Sequence, residues 1–144
     1  MQTPDDATLQ EILTTTRVIA VVGISPKADR PSHEVAEFLQ VKGYRIVPVN
    51  PGHAGQQILG ETVYADLASI PKGIPVDMVD IFRRPDAVPE VVDDALASLP
   101  DLRTIWMQLG VSHDAAARKA RAQGIRVVMD RCPKIDYPRV MPRA

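Results

Sequence analysis

Apolar residues follow two rhythms along this chain. Short, mostly continuous runs rich in Val and Ile stand at Val18 to Val22, Arg45 to Val49, Val76 to Phe82, Thr104 to Leu109 and Arg126 to Met129. Between them, apolar positions recur three and four residues apart. Continuous runs suit strands covered on both faces, and the intervening spacing is helical. The alternation predicts βαβ units: an α/β, Rossmann-like, doubly wound parallel sheet of five strands with helices on both faces. Right-handed connections and a first strand that ends in a glycine turn favour the strand order 3-2-1-4-5. Asp77 and Asp80 in the third strand support that order, because a carboxylate costs least at a sheet edge. Pro48 has no N–H for a ladder, so the second strand is expected to stop pairing on that side near its C-terminal end.

The helices follow from period and caps. The first opens at Thr3-Pro4-Asp5-Asp6, with a capping hydroxyl, Pro at the first helical position and acids in the first turn, and it buries Leu9, Ile12 and Leu13. The second runs from Ser32 to Lys42, with Val35, Phe38 and Leu39 on one face and Gly43 as its stop. Pro85 to Ser98 places Val88, Val91, Val92, Ala95 and Leu96 at helical spacing, and the Ala-rich stretch Ser112 to Gln123 is capped by Ser112 and closed by Gly124. Gly52 to Pro75 is weakly patterned, with only Tyr64 to Ile70 resembling a short strand-turn or helical piece. Neither repeat nor linker interrupts the chain, so 1–144 is expected to form one domain.

Composition narrows the function. A 144-residue chain can bury about 68–70% of its unfolded surface, enough for a proper core. Its formal net charge of −1 provides no global basic field, so neither nucleic acid nor an anionic membrane is an expected partner, and any polyanion must be held locally. The N-terminus lacks a basic segment followed by an apolar one, and no run approaches the ~20 apolar residues of a span, which reads as cytoplasmic. One Cys and three scattered His have neither a disulfide partner nor metal-ligand spacing, so no metal site is expected.

In open parallel sheets ligands bind beyond the carboxyl ends of the strands. The first such loop reads Gly23-Ile24-Ser25-Pro26-Lys27-Ala28-Asp29-Arg30-Pro31-Ser32. A phosphate there would meet backbone N–H groups, a helix N-terminus, two hydroxyls and the Arg30 guanidinium, whose charge-assisted bonds outweigh the helix end. The loop has neither a Walker Gly-Lys-Ser/Thr nor Gly-x-Gly-x-x-Gly. The second strand ends in Asn50-Pro51, where an NAD-binding domain would place the acid that holds the ribose hydroxyls. After the third strand, Phe82-Arg83-Arg84 sets an aromatic ring and two cations at the crevice, suited to a second phosphate or a stacked purine. After the fourth, Gln108 and Gly110 offer amide groups and close backbone approach, while Trp106 reads as core.

The ordered set Val21-Val22-Gly23-Ile24-Ser25, Arg30-Pro31-Ser32, Gly43-Tyr44, Pro48-Val49-Asn50-Pro51, Val76-Asp77, Phe82-Arg83-Arg84-Pro85, Trp106-Met107-Gln108-Leu109-Gly110 and Asp130-Arg131-Cys132 resembles the small, single-domain CoA-binding protein family. That family is similar to the CoA-binding domain of the succinyl-CoA synthetase alpha subunit. The resemblance spans Thr16 to about Cys132 and implies a Rossmann-like domain that binds CoA. It places the diphosphate at Gly23, Ser25, Arg30 and Ser32, with Ile24, Lys27 and Pro31 in the same loop. It places adenosine near Val49, Asn50 and Pro51, further phosphate contacts at Arg83 and Arg84 beside Phe82, and pantetheine toward Gln108 and Gly110.

The synthetases complete their chemistry with a phosphorylated histidine and a nucleotide-grasp partner, for which this chain has no room. His33 reads as a surface or capping group, and His53 and His113 as bystanders. Asp77 and Asp80 point to opposite pleat faces and form no acid-base pair. The favoured expectation is therefore a CoA or acyl-CoA carrier or sensor without catalysis of its own, with a protein partner or second copy left open. The alternatives are a subunit of an acyl-CoA-handling enzyme and a nicotinamide-dependent oxidoreductase with an atypical fingerprint. Cys132 reads as a buried structural cysteine, with a mixed disulfide to CoA as the alternative. The tail from Pro133 to Ala144 has no assigned role.

Overall fold

The computed structural model describes residues 4–142. In chain order its elements are α1 (Asp6–Thr15), β1 (Val18–Val22), α2 (Pro31–Val41), β2 (Arg45–Val49), β3 (Gln57–Ile58), β4 (Glu61–Thr62), β5 (Met78–Ile81), α3 (Val88–Ser98), β6 (Thr104–Met107), α4 (Asp114–Ala122), β7 (Arg126–Val128) and α5 (Pro133–Val140). All five predicted strands form one parallel sheet, ordered β2-β1-β5-β6-β7. The fold is the doubly wound, Rossmann-like one that the sequence implies.

The strand order is not the expected one. Counting the five predicted strands, it is 2-1-3-4-5, so the third strand lies at the centre rather than the edge. β5 pairs with β1 from Ile19↔Met78 to Val22↔Ile81 and with β6 from Met78↔Thr104 to Ile81↔Met107. Its apolar residues Met78, Val79 and Ile81 are each wholly buried, which needs cover on both faces. The two acids that argued for an edge are accommodated differently. Asp77 precedes β5, and its carboxylate accepts the N–H groups of Arg17 and Val18 at 2.9–3.2 Å, pinning the start of β1. Asp80 lies inside the sheet with no exposure.

Pro48 fits β2 because β2 is an edge strand. The Val49 carbonyl accepts from Gly23 across the β1 ladder at 2.8 Å, while the Pro48 carbonyl accepts from Tyr64 at 3.0 Å on the opposite side. Carbonyl and N–H of one strand residue point the same way, so the missing donor faces outward and the ladder with β1 runs through to Val22↔Val49. The weakly patterned segment contains 3₁₀ turns at Pro51–His53 and Leu67–Ser69 and the β3–β4 hairpin, which the sequence pattern did not reveal.

The helices shift at their ends. Thr3, the expected first cap, lies outside the described residues; Asp5 caps α1 instead, accepting from Thr8 N–H at 2.8 Å. His113 rather than Ser112 caps α4, its Nδ1 accepting from Ala116 N–H at 3.1 Å. One face of the sheet packs on α3 and α4 through Val88, Val92, Ala117 and Ala120; the other packs on α1, α2 and α5 around Trp106, Leu13 and Leu39.

The tail is a structured element. Tyr137 of α5 packs edge-on to Phe38 at 5.8 Å and to Tyr44 at 6.3 Å, contacts worth about 0.5–1.5 kcal/mol each beyond buried area. Lys42 Nζ lies 5.4 Å from the Phe38 and Tyr137 ring centres. Asp136 accepts from Arg131 at 2.8 and 2.9 Å and from Arg139 at 3.2 Å, and Arg139 reaches Asp6 of α1 at 2.6 Å. The Tyr44 hydroxyl donates to the Leu13 carbonyl, and burial of the ring pushes this phenol well above its ordinary pKa.

Candidate functional site

With the observed order, the chain leaves β1 toward β2 on one side and returns to β5 on the other. Ligands of open α/β sheets bind at such a switch point. Here it lies between β1 and β5, where the two candidate anion loops meet. Gly23, with φ +89°, closes β1; a Cβ built on it would stand 2.2 Å from the Phe82 carbonyl oxygen and 3.2 Å from Arg83 Cδ. Only glycine allows this contact. Phe82 N–H donates to the Val22 carbonyl and Gly23 N–H to the Val49 carbonyl, each at 2.8 Å. The Asn50 amide donates to the Ile24 carbonyl at 2.8 Å. The loops after β1, β2 and β5 are thus bracketed together.

The β1 loop is wound on its own hydroxyls. Ser25 N–H donates to Ser32 Oγ at 2.9 Å, and Lys27 N–H to Ser25 Oγ at 3.1 Å. Ser32 is buried and holds the loop, while Lys27 and Arg30 are exposed. Arg30 is the N-cap of α2 and Pro31 its first residue, so the helix presents the N–H groups of Ser32 and His33 without intrahelical acceptors. Ile24 is fully buried. Lys27, Arg30 and Arg83 take part in no ion pair among the described residues, whereas Arg84 is spread toward Asp86 at 3.5 Å on the open surface.

Beside this bracket lies a cavity of about 380 Å³, floored by Val22, Val49, Leu67 and Val91, with Pro51 at its wall and Arg83 at its rim. Three acids line it too: Asp94 accepts from Leu67 N–H and the Ser98 hydroxyl, one oxygen of Asp66 accepts from Ser69, and Glu90 is exposed. An apolar floor with one cation, Arg83, among its lining residues suits a nucleobase whose phosphates lie toward the β1 loop. Leu67 and Val91 were not legible as site residues; the short run after Tyr64 was the available signal.

Gln108 and Gly110 sit at the far end of β6. Gly110 N–H donates to Asp130 Oδ1 at 2.7 Å, which ties the β6 and β7 loops together, and Asp130 holds a φ of +58° to do so. Gln108 is buried, with its amide against Asp80. Trp106 is wholly buried, as expected, and its Nε1 donates to the Arg131 carbonyl at 2.9 Å. His33 differs from expectation: it is neither on the surface nor a cap, but buried, with Nδ1 unpartnered among the described residues. His53 bonds Gln56 within its turn, and Cys132 is buried at the head of α5. Among the described residues no three His, Cys, Asp or Glu are placed to share a metal ion, and no helix is long and apolar enough to cross a membrane.

A five-stranded parallel sheet with a glycine-closed loop at its switch point defines a Rossmann-like class of α/β protein. Within that class, the family model of the CoA binding domain matches residues 17–138, and the chain belongs to this family. Protein YneT of Bacillus subtilis (strain 168) is 37% identical over 137 residues, covering 95% of this chain and 97% of its own. A solved structure from Thermus thermophilus superposes with a TM-score of 0.88 at 33% identity, over 96% of this chain and all of its own. The dinucleotide-forming acetyl-coenzyme A synthetase 1 of Ca. Korarchaeum cryptofilum shares the fold at 22% identity, with a TM-score of 0.67 over 83% of this chain and 27% of its own.

Proposed function

We propose that the protein is a CoA-binding module that carries or senses CoA or an acyl-CoA and performs no catalysis itself. The observation that carries this reading is the contact of Gly23 with the Phe82 carbonyl, which brings the β1 loop and Arg83 together beside the apolar cavity. The adenine ring lies on Val22, Val49 and Val91, the diphosphate meets the N-terminus of α2 with Arg30 and Lys27, and the 3′-phosphate meets Arg83. Pantetheine then crosses the ends of β5 and β6 toward Gln108 and Gly110. Two features favour this over a nicotinamide cofactor or an enzyme. Asn50 ends β2 as a bracket, donating to Ile24 and accepting from Gly52, rather than as a ribose-binding acid. Of the acids around the crevice, Asp66, Asp94 and Asp130 serve as acceptors for the protein's own backbone, and Glu90 stands exposed to solvent.

Calorimetry with CoA, 3′-dephospho-CoA, acetyl-CoA and NAD tests the reading, with Arg30→Ala and Arg83→Ala as controls. CoA binding weakened by both substitutions, and by removal of the 3′-phosphate, is the expected result. Binding of NAD without CoA would overturn it.

A further inference from the structure

Asp80 has no structural duty of the kind the other buried or half-buried acids perform. Asp77 and Asp94 accept backbone N–H groups, and Asp136 answers two arginines. Asp80 is wholly buried in the central strand, between Val21 and Trp106 in register, on the apolar face that packs against α1, α2 and α5. Neither a backbone N–H nor a cation reaches its carboxyl among the described residues. Its one hydrogen-bonding partner among the described residues is the side-chain amide of Gln108, itself 5% exposed; with the amide turned so that its nitrogen faces Asp80, the NH₂ stands 3.0 and 3.1 Å from the two carboxyl oxygens.

An acid buried on a single neutral partner works against folding, and an apolar residue of similar size would pack there at less cost. What Asp80 supplies is orientation. The Gln108 backbone is fixed on both sides, its N–H donating to the Ile81 carbonyl at 3.3 Å and its carbonyl accepting from Val111 at 2.8 Å. Only the side-chain torsions remain to be set. We propose that Asp80 is a positioning residue: by holding the Gln108 NH₂ it turns the amide oxygen away from the sheet centre, as an acceptor for an amide N–H of the ligand. Pantetheine carries two such amides, so the inference rests on the CoA reading and assigns Gln108 to the pantetheine arm rather than to the nucleotide.

The experiment compares CoA with adenosine 3′,5′-bisphosphate, which lacks that arm, on wild type, Asp80→Leu, Asp80→Asn, Gln108→Leu and the Asp80→Leu/Gln108→Leu double variant. Asp80→Leu and Gln108→Leu are each expected to weaken CoA by about tenfold, to leave the bisphosphate unchanged, and to be no worse when combined. Asp80→Asn keeps an acceptor and is expected to stay within about twofold of wild type. Equal loss of both ligands, or CoA affinity unmoved by either leucine, would overturn the assignment. Should Asp80→Leu not fold, solvent exchange of the Gln108 side-chain NH₂ in wild-type protein decides: slow exchange supports the contact, and exchange at the rate of a free amide overturns it. Wild type that binds neither ligand would overturn the CoA reading instead, and the exchange measurement then still judges the Asp80–Gln108 contact.

Discussion

The carbonyl oxygen of Phe82 occupies the space that a side chain on Gly23 would need, 2.2 Å from the position of its Cβ. Two strands far apart in sequence are thereby allowed to touch at the point where their loops diverge. Gly23→Ala must both adopt a φ of +89°, a strain of about 1–3 kcal/mol, and push β5 away from β1. The expected outcome is a stability loss in urea unfolding of at least that size, with CoA binding abolished in the fraction that remains folded.

Arg83 and Arg84 are neighbours in sequence but not in role. Arg83 stands at the cavity rim, while Arg84 is exposed and turned toward Asp86. Arg83→Ala is expected to weaken CoA by at least about tenfold, as befits a lost charge-assisted bond, and Arg84→Ala by less than about threefold, as for an exposed pair. The same titrations at raised salt should narrow the difference between wild type and Arg83→Ala.

Burial holds the Asp80 carboxyl well above the usual carboxylate range. Below that range both the folded and the unfolded chain keep the proton, and Asp80 contributes no pH dependence. As pH rises past about 4, the unfolded chain releases its proton while the folded one retains it, so stability falls until the raised pKa is reached. Asp80→Asn removes this loss. Its melting temperature relative to wild type is therefore expected to climb as pH rises above the ordinary carboxylate range; a difference flat across pH would contradict the burial argument.

Asp136 is 2% exposed and joins Arg131 to Arg139, which in turn reaches Asp6. Asp136→Ala strands the partly covered Arg131 guanidinium and is expected to cost about 1–3 kcal/mol. The loss should be local: hydrogen exchange is expected to rise over 133–140 and over the first turn of α1 before the sheet is affected.

Much of this was legible in the chain. The five strands stand within a few residues of their apolar runs because continuous burial on two faces leaves an unmistakable composition. Helix ends were read less well: the caps chosen were the hydroxyls Thr3 and Ser112, whereas Asp5 and the imidazole of His113 cap α1 and α4. The strand order departs from the one the sequence predicts for a physical reason. Asp80 announces its cost, but its partner Gln108 lies one strand away, and only the folded sheet brings the two together. Around the β1 loop, Ser25 bonds Ser32, Asn50 bonds the Ile24 carbonyl, and Gly23 abuts Phe82 and Arg83. The cavity floor depends on Leu67 and Val91, ordinary apolar residues whose part in a pocket no local pattern marks.

The outward turn of Pro48 also bears on how copies of this protein meet at high concentration. A bare sheet margin is a template for a stranger's backbone, but at this margin the donor is missing and the acceptor already belongs to Tyr64. The opposite margin, β7, is only three residues long. Sheet-to-sheet pairing between copies therefore finds few free backbone groups at either margin.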